Sequence, residues 1–269
     1  MTLNKHGNHK RILPIDKIAA KFEKHQKLHD FEVDELFKDI PHRKFTDIQY
    51  RYLEVGIENQ FIFDIETSDF NPHSNFIICY NGIMRNIATG KIQYIEDAMT
   101  KKDIKKAVDE QTFDFDKRLL ETLSWNIKQA DQIVGHYSTK FDYPYFISRC
   151  MLTKQDDLIP PYGRILHQDT WRLMKRSINP SWKGNTLRNF IKLTGGRDEK
   201  TFVDLRYWYI THFKDHKEWQ KAMNYIQYHC RKDVKMTLGG LKKAEVFNPI
   251  SRVRCQWLKN YMIVFKKFS

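Results

Sequence analysis

The sequence predicts an α/β fold, a mixed β-sheet flanked by α-helices, and three observations carry that expectation. Short apolar runs rich in β-branched and aromatic residues come close together after residue 59, as neighbouring strands do. Further runs of that kind then alternate with segments whose apolar residues recur at helical spacing. No internal repeat and no Pro/Gly/Ser-rich linker divides the 269 residues, so one large domain with extensions is expected.

In chain order, residues 1–58 read as a helical N-terminal extension. "DKIAAKFEKH" and "DFEVDELFKDI" space their apolar residues helically, and "TDIQYRYLEVGI" follows a cap at Thr46 or Asp47. Packing helices account for this segment better than a DNA-gripping helix-turn-helix, because its charges nearly cancel. Residues 59–247 hold the α/β domain. "QFIFDIET" has the texture of a central strand, and "NFIICYNGIM" and "KIQYIED" form two more, joined by a turn around Asn86 to Gly90. "FDKRLLETLSWNIKQA" is a helix by its Leu119, Leu120, Leu123 and Ile127. "QIVGHYS" is a fourth strand, "YPYFISRCML" a helix and "ILHQDT" a short fifth strand. Helices near residues 171–178, 185–194 and 216–243 follow, and residues 248–269 read as a basic C-terminal helix or tail. Antiparallel strands followed by strands alternating with helices make the sheet a mixed one.

Basic side chains outnumber acidic ones by 46 to 33, and residues 141–269 alone hold 25 basic against 11 acidic. An excess so one-sided favours a polyanionic partner, nucleic acid above all, over a merely solubilising surface. No apolar run approaches the roughly 18 residues of a membrane span, and the start lacks a secretory apolar stretch. Cys79, Cys150, Cys230 and Cys255 lie far apart without zinc-ligand spacing, as reduced thiols of a cytoplasmic, non-secreted protein would.

Four carboxylates carry the candidate chemistry. Asp64 and Glu66 stand two apart on a strand, so both project from one face while Phe63 and Ile65 point the other way. Adjacent acids repel unless a cation lies between them, and their hard oxygens suit Mg²⁺ or Mn²⁺. Asp142 ends a polar loop at a helix start, where a plain N-cap would also explain it. Asp233 lies mid-helix, where Arg231 and Lys232 could make it an ordinary surface partner.

Taken in order, "FDIET", "VGHYSTKFDYPYF" and "YHCRKDV" resemble the three motifs of the DEDD superfamily of 3′–5′ exonucleases. The resemblance is nearest to the exonuclease domains of family B DNA polymerases and their stand-alone relatives. "ILHQDTWRLMKR" and "NTLRNFIKLTGG" resemble the segments between the second and third motifs, so the likeness spans about residues 60–245. It implies a ribonuclease H-like fold and a phosphodiester hydrolase. It also implies two divalent ions, Mg²⁺ or Mn²⁺, held by Asp64, Glu66, Asp142 and Asp233. The implied substrate is single-stranded DNA or a frayed 3′ end, or RNA, with a polymerase or another replication protein as a candidate partner.

Two positions depart from the family pattern. Tyr137 stands where the second motif often has Asn, five residues before Asp142, which puts that residue's strand contacts in question. In the third motif His229 lies four before Asp233 and Tyr228 five before, the two residue types exchanged. Spacing of four keeps His229 on the face of Asp233, so His229 is the candidate to face the attacking water. Thr67, Tyr137 and Phe141, which flank the acids, are the implied strand contacts. Arg172, Lys175, Arg176, Lys183 and Arg188 supply positive charge for the phosphates. Trp171, Trp182 and the "RYWYITHF" aromatics Tyr207, Trp208 and Tyr209 offer stacking surfaces, unless they belong to the core. Two other readings remain open: an inactive binding module on this fold, and a structure-specific endonuclease.

Overall fold

The computed structural model describes residues 56–177, 184–197 and 201–245. Most of the helical extension expected over residues 1–58, the C-terminal tail over 248–269, Trp182 and Lys183 lie outside the described residues.

Five strands form one sheet in the order β3-β2-β1-β4-β5. β1 (Asn59–Thr67) pairs antiparallel with β2 (Ile77–Asn86), which pairs antiparallel with β3 (Ile92–Ala98). On its other side β1 runs parallel to β4 (Gln132–Gly135), and β4 runs parallel to β5 (Leu166–Asp169). With its flanking helices this is an α/β fold on a mixed sheet, consistent with the ribonuclease H-like architecture that the resemblance implied.

The alternation along β1 decides what each face carries. Phe61, Phe63 and Ile65 enter a core shared with Leu119, Leu120 and Leu123 of α2 (Lys117–Gln129) and Phe146 of α3 (Asp142–Leu152). Ile62, on the opposite face, packs with Ile83, Val134 and, on the long C-terminal helix α6 (His216–Ala244), Val234, Leu238 and Leu241. Asp64 and Glu66 continue the Ile62 row, so they emerge beneath α6 between its Val234, Leu238 and Leu241 on one side and its Cys230 and Ile226 on the other.

Two short helices, α4 (Thr170–Ser177) and α5 (Leu187–Leu193), complete the parallel side. Phe190 of α5 lies against Gly240 of α6, where a β-carbon would come within 2.3 Å of its ring. Only glycine permits that approach.

One helix escaped the sequence reading. α1 (Lys101–Asp109) starts with a capping box in which Thr100 and Asp103 each bond the other's backbone N–H. It buries only Ala107 completely, and so has no broad apolar stripe to reveal it. The fourth strand is shorter than "QIVGHYS" suggested. It stops at Gly135, because a buried carboxylate from β5 takes over the next residues' N–H groups.

A carboxylate cluster beneath the long helix

Asp64 and Glu66 leave β1 side by side, and their carboxylates lie with the Cys230 thiol in a group of donor atoms within 4.8 Å of one another. The Sγ of Cys230 donates to the Asp64 carbonyl at 3.3 Å, tying α6 to this point of the strand. Burial and the nearby carboxylate of Asp64 hold that thiol well above its usual range. The indole of Trp208 donates to Glu66 Oε2 at 3.1 Å and so orients one oxygen. Trp208 is thus buried against the acids rather than offered as a stacking surface. Tyr207 packs against Tyr225 at 4.7 Å, and Tyr209 remains exposed.

α6 brings two further groups from one turn of helix. His229 is 5% exposed and Asp233 8%. The His229 Nε2 lies 3.9 Å from Glu66 Oε1 and 3.9 Å from Asp233 Oδ2, ion-pair distances rather than hydrogen bonds. The other ring nitrogen, Nδ1, is hydrogen-bonded to the hydroxyl of Thr201. If Nδ1 carries the proton and donates it there, Nε2 turns a lone pair toward the carboxylates. Tyr228 is 46% exposed, and the Lys232 ammonium lies over its ring at 5.5 Å. Helical geometry separates the neighbours: one residue is about 100° of rotation.

The second motif arrives by a tight route. A β-carbon on Gly135 would fall 2.5 Å from Ser138, so the chain can double back here only without one. Asp142 opens α3 as its first helical residue and does not cap it: the cap position is Phe141, and no side chain caps this end. The Asp142 Oδ1 instead accepts the Ile65 N–H at 3.1 Å, stitching the helix start to the strand between the first two acids. Asp142 is 4% exposed, and its pKa is pushed up to about 7. Burial is the main cause; the Ile65 N–H works against it, while the charges of Asp169 and Asp233 push the same way.

Asp169 is the acid that the sequence reading missed. It is buried at the end of β5 and accepts the N–H groups of Tyr137 (2.9 Å), Thr139 (3.0 Å) and Trp171 (2.9 Å), and the Thr139 hydroxyl (2.6 Å). Its bond to Trp171 was foreseeable, since Asp-Thr before an amphipathic segment is a cap signature. Its grip on the loop 137–139 was not, because strand pairing alone creates it.

The candidate strand contacts divide. Tyr137 and Trp171 line a cleft of about 270 Å³ with Asp64, Asp233, Asn185 and Thr186. Phe141 is half-buried, in edge contact with Phe70. Thr67 is buried beside a register shift in the β1–β2 ladder, so its side chain presents little surface. Arg172, Arg176 and Arg188 are exposed and Lys175 is half-buried, its ammonium 5.3 Å from the Trp171 ring.

A divalent cation fits this donor set. Carboxylate oxygens of Asp64 and Glu66 lie within metal-binding distance of each other, and Asp233 lines the same cleft as Asp64. The repulsion that Asp169 and Asp233 exert on Asp142 is what a cation would relieve. No model of a known protein family matches the chain, and no curated protein matches it. Among solved structures, the family B DNA polymerase of the hyperthermophilic archaeon Pyrobaculum calidifontis is similar at 18% identity and a TM-score of 0.49, over 69% of this chain. The chain spans 24% of the length of that polymerase. Among the described residues, no helix is long and apolar enough to cross a membrane.

Proposed function

We propose that this protein is a metal-dependent 3′–5′ exonuclease acting on single-stranded or frayed ends. The observation that carries the reading is the meeting at His229 Nε2 of Glu66 and Asp233, each at 3.9 Å, with Asp64 beside Glu66 and Asp142 bonded between them at Ile65. Bringing four acids from three distant segments together works against the fold, since like charges repel. They suit a site that gathers cations and a phosphodiester.

Asp64, Glu66, Asp142 and Asp233 would hold the ions, Mg²⁺ or Mn²⁺, which when bound supply positive charge for the phosphate and the departing 3′ oxygen. His229 would accept the proton of the attacking water at Nε2, while the Thr201 hydroxyl holds the ring in place at Nδ1. Trp208 prevents Glu66 from swinging away. Water adds to phosphorus as the bond to the 3′ oxygen breaks, releasing a nucleoside 5′-monophosphate and a shortened strand. The exposed Arg172 and Arg176 attract the rest of the strand. A polymerase or another replication protein in a reducing intracellular compartment is the partner class this activity suits.

End-labelled single strands of DNA and RNA, incubated with Mg²⁺ or Mn²⁺, test the reading. A ladder of single-nucleotide steps from the 3′ end is expected, and Asp64→Ala should abolish it while leaving circular dichroism unchanged. Internal cuts would make the protein an endonuclease, and binding without cleavage a module. Degradation by Asp64→Ala at the parental rate would overturn the metal-site assignment.

A further inference from the structure

Tyr137 has φ = +65°, in the left-handed region. An L-residue with a bulky side chain is rarely held there, at a cost of about 1–2 kcal/mol, whereas Gly and Asn enter it readily. Its backbone is kept there by the buried Asp169, which accepts the Tyr137 N–H. The same carboxylate oxygen accepts the N–H of Trp171, so one buried group sets two aromatic residues on facing elements. Their rings meet at 5.3 Å with an angle of 78° between planes, and Lys175 braces Trp171 by its ammonium. Tyr137 is nevertheless 45% exposed, so the strained position does not serve to bury the ring. Both residues line the cleft that also contains Asp64 and Asp233.

We infer that Tyr137 and Trp171 form a stacking corner for one unpaired base, that of the nucleotide whose phosphodiester is presented to the carboxylates. This rests on the exonuclease reading and adds what the enzyme grips: the base itself, beyond the phosphate. Two rings nearly at right angles make an L-shaped wall, and a base lying flat on one stands edge-on to the other. A paired base in a duplex cannot enter such a corner, which selects a free or frayed end. Stacking tolerates any of the four bases, because each has a π-face, so the corner grips without reading sequence. Strain persists where the surroundings over-determine it, and here Asp169 supplies the constraint while the ring supplies the function.

The test measures binding of two short oligothymidines whose last linkage is a cleavage-resistant phosphorothioate, one complete and one lacking its 3′-terminal base. The parent protein is expected to bind the complete strand about tenfold more tightly, the scale of one base–aromatic stack. In Tyr137→Asn, which suits the left-handed backbone, that ratio should collapse toward one, with a thermal midpoint no lower than the parent's. Trp171→Leu should reduce the ratio as well. Equal affinity of the parent for both strands overturns the inference, and needs no variant to fold. So does an unchanged ratio in Tyr137→Asn. If the parent binds neither strand and cleaves none, the exonuclease reading itself has failed, a distinct result.

Discussion

Asp116 and Asp142 are both buried carboxylates at helix starts, and their surroundings are opposite. Asp116, fully buried, receives a two-pronged contact from Arg149, with Nε at 2.9 Å and Nη2 at 2.7 Å, and also the Ile77 N–H at 2.9 Å. Arg149 spends its other N–H groups on the carbonyls of Pro72 and Phe113. Four N–H groups of Arg149 are engaged, and the ion pair clamps α3 to the loop after β1 and to the segment before α2. At the other end of the same helix Asp142 accepts the Ile65 N–H, and the charges that weigh on it are carboxylates, those of Asp169 and Asp233. The difference separates an acid that holds the fold together from one proposed to hold a metal ion: the first has its counter-charge built in, while the second sits among like charges. The rigid clamp at Arg149 also holds steady the helix whose first residue carries the second motif.

The largest expected effect breaks the clamp. Arg149→Met leaves Asp116 charged and buried without its partner, and should lower unfolding free energy by about 3–5 kcal/mol. Asp142→Asn in metal-free protein should leave stability unchanged or raise it, since the amide oxygen can still accept the Ile65 N–H. Urea denaturation of both variants in EDTA checks the pair. If Asp142→Asn proves as damaging as Arg149→Met, the distinction between the two acids is lost.

Next in size is the histidine. His229→Ala should lower turnover by about a hundredfold, the usual scale for a general base, with little change in strand affinity. Tyr228→Phe should stay within about twofold, as befits a half-exposed ring turned from the carboxylates. Single-turnover rates on a labelled strand decide, and the reverse ranking would displace His229 from its role.

A smaller effect comes from the proton on Asp142. Its folded pKa of about 7 lies above the ordinary 3.8, so between those values the folded chain holds a proton that the unfolded chain releases. Stability contributed by that proton is fully present below about pH 4 and is lost as pH rises toward 7. Metal-free protein should therefore show a falling urea midpoint from pH 5 to 7.5. Mg²⁺ or Mn²⁺, which favours the charged carboxylate, should raise the midpoint most at the upper end. Asp142→Asn should flatten the metal-free slope. A slope unchanged in that variant would assign the titration to another group.

The smallest effect concerns the surface. Replacing Arg172, Lys175 and Arg176 with Gln should weaken binding about equally for every sequence and flatten its dependence on salt, as lost phosphate contacts do. Fluorescence anisotropy at two or three salt concentrations measures this. An unchanged slope would route the strand over another face.

The sequence by itself determined the sheet and the face on which the first two acids stand. Period two on "FIFDIET" sends Phe61, Phe63 and Ile65 into the α2 core and leaves Ile62, Asp64 and Glu66 beneath α6. Spacing of four likewise placed His229 on the side of Asp233 and turned Tyr228 outward. These are local periodicities, legible because a helix or strand repeats its geometry residue by residue. Only the tertiary structure decided which distant groups meet. Trp208 reaches Glu66 across 142 residues, Thr201 bonds His229, and Asp169 gathers Tyr137, Thr139 and Trp171 from two segments. No spacing rule announces such contacts, because they depend on how loops are drawn over the sheet after its strands have paired. The strained Tyr137 belongs to the same class. In sequence it is an unexpected residue type within a motif, and it becomes interpretable only once Asp169 is seen holding its backbone.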